Sequence, residues 1–169
     1  MRLLISDSNI LIDMQSSDLL STLFKLPIQF AIPDILYYEE IEQDSPELKQ
    51  LGLKVMEVNG EFIAYALSLP AKYNHTLPAK NGSKPTHNDY IALALAKQEA
   101  CTLATGDTNL RLVAAKEGVE VMGTIGILCA FVEYRLLTVN AALQALERMK
   151  AAKRRLPWNE AEKRLKALL

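Results

Sequence analysis

Cysteine is nearly absent: only Cys101 and Cys129 occur, both in apolar runs, with no CxxC motif and no Cys/His cluster. That pattern disfavours a disulfide framework and a zinc site, and two buried, reduced thiols in a reducing compartment are expected. Long apolar runs are missing too. The most extended uncharged one, around Gly123 to Val132, is too short to cross a bilayer, and the first residues lack the basic segment and apolar core of a secretion signal. The expectation is a cytoplasmic protein with no membrane partner. Nor is there an excess of one charge, since nineteen Lys and Arg stand against twenty Asp and Glu. That balance argues against generic electrostatic attachment to nucleic acid. Internal repeats and interdomain linkers are lacking as well, so 169 residues, half of them apolar, read as one core.

The near-zero net charge hides an uneven distribution. Residues 1–70 carry four basic residues against eleven acidic ones, while from residue 71 onward fifteen basic face nine acidic. Arg148, Lys150, Lys153, Arg154, Arg155, Lys163, Arg164 and Lys166 crowd near the end. An acidic pocket beside a basic arm is the consequence to look for.

The stretch from His87 to Leu128 reads as helix, strand, helix, strand with an acid at each joint. Ile91 to Ala96 has no polar face, which marks a helix buried nearly all round, with Asp89 at its start. Cys101 to Thr105 is a short apolar strand stopped by Gly106-Asp107. Asn109 to Lys116 is a helix closed by Gly118, and Val119 to Met122 a second strand that turns at Gly123-Thr124. At the other end of the chain, Leu3 to Ser6 is a buried strand followed by Asp7, with Ser8-Asn9 as helix cap. Leu19 to Phe24 predicts an amphipathic helix ended by Pro27, and Ile28 to Ile32 a strand. Pro33-Asp34 opens a helix carrying Glu39 and Glu40. Leu53 to Val58 predicts a strand, Glu61 to Leu69 a helix, 70–85 a long surface loop, and 138–169 two helices divided at Leu156-Pro157.

Open α/β sheets collect ligands at the carboxyl ends of their strands. That edge would receive Asp7, Asp107 and Asp89, with Glu39 or Glu40 nearby. Carboxylates about 5 Å apart repel by roughly 3 kcal/mol at an effective dielectric near 20, so such a cluster takes up protons or holds cations. An all-oxygen set favours Mg²⁺ or Mn²⁺, which orient water, lower its pKa and stabilise charge on a phosphodiester. Each acid also has a plain structural reading. Asp89 and Asp7 suit helix caps, and Glu39-Glu40 a solvated helix face. A phosphatase of the haloacid dehalogenase type would need a second acid two residues after Asp7, where Asn9 stands.

Taken in order, Ser6-Asp7-Ser8-Asn9-Ile10-Leu11-Ile12-Asp13, Ile32-Pro33-Asp34-Ile35-Leu36 leading to Glu39, Asp89 before Ile91-Ala92-Leu93-Ala94, Thr105-Gly106-Asp107 with Leu110-Arg111, and Gly118 then Gly123-Thr124 resemble the PIN-domain family. The resemblance implies a three-layer α/β/α sandwich around a mainly parallel sheet. It assigns residues 1–135 to the nuclease domain and 136–169 to a helical extension packed on it. It further implies an Mg²⁺- or Mn²⁺-dependent endoribonuclease whose metal-binding, catalytic acids are Asp7, Glu39, Asp89 and Asp107. Asn9 and Thr105 would support them. Glu40 is the alternative to Glu39, since the distance from Pro33 favours Glu39 and the Glu-Ile pairing favours Glu40. Expected partners are RNA, a neighbouring antitoxin of the VapC toxin type, and a second copy of the chain. The rival expectation is a PIN-like module that binds RNA or protein without cleaving, against which the retention of all four acids argues.

Overall fold

Successive apolar residues at Leu4-Ile5, Phe30-Ala31-Ile32 and Leu103-Ala104 are fully buried, the signature of strands covered on both faces. The computed structural model describes residues 1–169. β1 (Arg2–Ser6) precedes α1 (Ser8–Ser16), α2 (Leu20–Leu23), β2 (Ile28–Pro33), α3 (Asp34–Leu36), a π-helical turn (Tyr37–Ile41), α4 (Leu48–Leu51), β3 (Lys54–Met56) and α5 (Gly60–Tyr73). A 3₁₀ turn (Ala79–Asn81) then leads to α6 (His87–Gln98), β4 (Thr102–Ala104), α7 (Thr108–Lys116), β5 (Val121–Met122), α8 (Thr124–Glu133), α9 (Val139–Ala151) and α10 (Trp158–Lys166).

All five strands are parallel, in the order β3-β2-β1-β4-β5. The chain builds outward from β1 to β3 and then crosses back to β4, so β1 and β4 are neighbours whose following connections leave in opposite directions. That is the topological switch point of an open sheet. Helices cover both faces and make the three-layer α/β/α sandwich. α6 lies across β1, β2 and β4 with α5 and α7 beside it, while α1, α8, α9 and α10 pack together. Tyr90 through Ala96 are at most 1% exposed, because α6 meets sheet on one side and helices on the others. The alanines at 92 and 96 share one face and Ala94 lies opposite, so the helix is narrow on both sides and packs close to its neighbours.

Local chemistry moves several element ends away from the sequence expectation. Pro70 was expected to begin a long loop, yet α5 runs through it to Tyr73. Buried Leu69 and Tyr73 hold that last turn, and the Tyr73 hydroxyl donates to Glu117, which together outweigh the cost of proline, about 3 kcal/mol in a helix interior. Tyr65 also donates to Glu117, at 2.5 Å, and Lys72 pairs with it at 2.9 Å. Burial works against charge on Glu117, but these donors prevail and hold its carboxyl down at about 2. α5 is thereby bolted to the carboxyl end of α7. The helix expected before Pro27 is a single turn, α2. Gly118, with φ +76°, ends α7 in the left-handed conformation a C′ glycine supplies.

The carboxyl-terminal helices are fastened to α1 through a buried acid. Asp13 accepts from Arg154 Nε at 2.7 Å and from the Thr124 hydroxyl at 2.7 Å, while Arg148 Nε donates to the Ser17 carbonyl at 2.9 Å. Two members of the basic crowd therefore have structural partners. The thiols Cys101 and Cys129 are free, and burial raises the pKa of both. No helix is long and apolar enough to cross a membrane.

Candidate active site

Strand register sets the site. Ser6 pairs with Ala104 and the Asp7 N–H donates to the Ala104 carbonyl at 3.0 Å, so Asp7 and Thr105 emerge side by side at the switch point. The Thr105 hydroxyl donates to Asp7 Oδ2 at 2.5 Å and accepts from the Asp107 N–H at 3.2 Å. One buried hydroxyl thus ties the acid after β1 to the acid after β4. Asp7 is also the N-cap of α1, accepting from Ile10 N through Oδ1 at 3.0 Å, and Asp107 caps α7 by the same bond to Leu110 N at 3.0 Å. The cap of α1 is therefore Asp7 itself rather than Ser8-Asn9.

Asp89 belongs to a capping box. Its Oδ2 accepts from Thr86 N at 2.7 Å and the Thr86 hydroxyl accepts from Asp89 N, which places it in the first turn of α6. The charge of Asp89 acts on Asp7, and that of Asp107 acts on Asp89. Burial, aided by the charges of Asp89 and Asp13, pushes the Asp7 carboxyl up to about 7 against the Thr105 and Ile10 donors. Burial likewise raises Asp89, opposed by its Thr86 bonds and reinforced by Asp107.

The two glutamates flank this group. Glu40 accepts from the Ser8 hydroxyl at 2.8 Å, next in the chain to Asp7, and Glu39 accepts from Asn88 Nδ2 at 2.9 Å, next to Asp89. They lie in the π-helical turn, where one extra residue is inserted into the helical register. A count of α-helical turns from Pro33 that ends on Glu39 ends one residue later once the insertion is included. Asn9, expected to support Asp7, instead accepts from Arg154 at 3.2 Å. Its Oδ1 is thereby committed to a guanidinium that buried Asp13 anchors.

As the side chains stand, no three His, Cys, Asp or Glu are gathered closely enough to hold a metal ion. Each carboxylate is turned onto a cap or a neighbouring donor. The donor set nevertheless fits a hard divalent cation: it is all oxygen, and Asp89 Oδ1 and Asp107 Oδ2 accept no hydrogen bond within the protein. A cavity of about 700 Å³ lined by Arg2, Lys97, Glu99 and Cys101 opens at the opposite, amino-terminal edge of the sheet and contains none of these acids.

The DUF3368 family model, described as a PIN domain, matches residues 3–168. The chain belongs to the PIN-domain family. The match covers α9 and α10 as well as the sheet, so the carboxyl-terminal helices lie within the family's own span. PIN domains have a nuclease-type fold, are generally hydrolases of nucleic acid and typically use divalent metal ions. No curated protein matches the chain.

Several polar contacts around this PIN domain's acids have no local sequence signal. Asn109 is fully buried and reaches back to the 74–86 segment, donating to the Ser83 carbonyl at 3.1 Å and accepting from Asn81 at 3.2 Å. That fastens the segment before α6 beside Asp107. Ser8 and Asn88 were visible only as neighbours of acids, and the Asp13–Arg154 pair joins residues 141 apart.

Proposed function

We propose that this PIN domain is an Mg²⁺- or Mn²⁺-dependent endoribonuclease that hydrolyses RNA phosphodiester bonds at the crevice between β1 and β4. The observation that carries the reading is Asp7, a fully desolvated acid raised to about 7 and facing other acids at the switch point. A carboxyl perturbed by burial together with a specific charge partner marks a candidate functional site. Asp7, Asp89 and Asp107 would hold the cation with a glutamate of the π-helical turn. The inserted residue and the Ser8 contact beside Asp7 favour Glu40 over Glu39. When bound, the cation would supply charge stabilisation for the phosphate and acidify water. The protein's own part is to keep Asp7 in place through Thr105, to orient the strand of RNA, and to exclude bulk water with α6 and the 74–86 segment.

The rival reading, a PIN-like module that binds without cleaving, is favoured by one observation: the acids are not gathered as they stand. Incubating the purified protein with total RNA in Mg²⁺, Mn²⁺ or EDTA and sequencing the new ends separates the two. We expect metal-dependent ends that Asp107→Asn abolishes; RNA left intact under all three conditions sinks the nuclease reading. Location in the cytoplasm, assembly as a homodimer and control by a neighbouring antitoxin belong to the same proposal. Expression alone should slow growth and an adjacent small open reading frame should relieve it. Harmless expression of a demonstrably active enzyme argues for RNA processing instead of toxicity.

A further inference from the structure

Gly123, between β5 and α8, has φ −99° and ψ −178°, an extended conformation open to any residue. Backbone freedom therefore does not require glycine there. What the position lacks is a side chain: a Cβ would lie 3.4 Å from Arg111 Nη1 and 3.6 Å from the Thr105 carbonyl oxygen. The Arg111 guanidinium thus borders a notch at the carboxyl edge of the sheet, whose other wall is the backbone carbonyl of Thr105, the residue whose hydroxyl holds Asp7. Arg111 N also donates to the Asp107 carbonyl at 2.9 Å, so its side chain rises one turn beyond Asp107. Arg2, Arg148 and Arg154 donate to Thr102, Ser17 and Asp13 respectively. Arg111 enters none of the chain's four ion pairs.

We infer that Arg111 grips a backbone phosphate of the nucleic-acid strand. The inference rests on the nuclease reading and adds the residue that lets an acidic crevice accept a polyanion. Carboxylates at the switch point repel phosphates, and the nearby Arg154 is already neutralised by Asp13 at 2.7 Å. A guanidinium at the rim supplies the missing attraction, and its planar fork matches two phosphate oxygens. Gly123 is the matching half of the device: a Cβ alone would only touch Arg111 Nη1, at 3.4 Å, whereas a side chain with branches beyond Cβ would compete with the guanidinium for the notch.

The test uses the full chain and a fluorescein-labelled single-stranded RNA of mixed sequence, with binding in EDTA at several salt concentrations and cleavage in Mn²⁺. Arg111→Met is expected to weaken binding and raise KM by about 10- to 100-fold, the worth of one hydrogen-bonded charge contact. The slope of log Kd against log salt should fall by about 0.7, one phosphate contact on a single strand. Arg111→Lys should recover part of the loss, and Gly123→Val should reproduce it. Lys25→Met, which removes an exposed charge before β2 at the far edge, should change neither slope nor KM. The melting temperature of Arg111→Met, and its rise on adding Mn²⁺, should equal the parent's. A parent that cleaves while Arg111→Met binds and cleaves equally well overturns the inference and leaves the nuclease reading standing. A parent that neither binds nor cleaves overturns both. A loss of binding that accompanies a lower melting temperature in both Arg111→Met and Gly123→Val assigns the contact to folding and overturns the phosphate role.

Discussion

Replacing Asp7 by Asn should stabilise the metal-free protein, and by an amount that depends on pH. Asp7 is 2% exposed, and its carboxyl is raised from 3.8 to about 7 by burial first and by Asp89 and Asp13 after it. A raised folded-state pKa means that the folded protein holds a proton the unfolded chain has released. Stability from this group is therefore present below about pH 4 and is lost as pH rises through about 7. Three pKa units correspond to about 4 kcal/mol, large beside a typical domain stability of about 5–15 kcal/mol. Asn keeps an oxygen for Ile10 N, and its amide can donate to the Thr105 oxygen, so few contacts are lost. In EDTA, thermal melts of parent and Asp7→Asn should coincide near pH 4. By about pH 8 the variant should melt higher by on the order of 10 °C, at about 2–4 °C per kcal/mol for a chain of this size. Added Mn²⁺ should raise the parent and shrink the gap, because it binds the folded state through the ionised acid. An Asp7→Asn variant that melts lower than the parent at every pH refutes the reasoning, since Asp7 would then be a cap whose charge the fold prefers.

Glu40→Gln is expected to cut RNA cleavage far more than Glu39→Gln, and the reverse ranking would return the role to Glu39. Arg154→Met should cost about 3 kcal/mol by stranding Asp13, and adding Asp13→Asn should recover much of it in urea melts. Additive losses would show that the two residues do not act as a pair. Tyr73→Phe should destabilise by about 1.5–3 kcal/mol at neutral pH, the value of a hydrogen bond to a charged group. The Glu117 carboxyl is depressed from 4.5 to about 2, so this penalty should shrink as pH falls through that window; a pH-independent penalty would mean Tyr73 acts only through packing.

The layers and the parallel sheet were legible because the strands are buried on both faces and α6 has no polar side, and those patterns are local. The positions of Asp7 and Asp107 past strand ends were legible for the same reason. What sequence could not supply was non-local or cooperative. The helix through Pro70 depends on Tyr73 meeting Glu117, and the diversion of Asn9 to Arg154 depends on Asp13 being buried. The choice between Glu39 and Glu40 turns on a π-helical insertion, which has no composition cue: Tyr37-Tyr38-Glu39-Glu40-Ile41 suits an α-helix equally well. Thr105 was expected to support the acids, but sequence could not show that its one hydroxyl joins Asp7 to Asp107.

The plain and functional readings of each acid do not compete, because one carboxylate has two oxygens. Asp107 caps α7 with Oδ1 and leaves Oδ2 without a protein donor, and Asp89 caps through Oδ2 and leaves Oδ1 free. Capping then fixes where each carboxylate stands, and the remaining oxygen is left open to a cation. Asp7 differs, since both its oxygens are engaged, by Ile10 and by Thr105. Those bonds leave room for a cation on the second lone pair of each oxygen, but they offset only part of the cost of ionising a buried acid. A cation arriving at Asp89 and Asp107 would therefore favour release of the Asp7 proton, and the protonated acid would oppose its arrival in equal measure. Metal affinity should accordingly rise with pH up to about 7 and then level off.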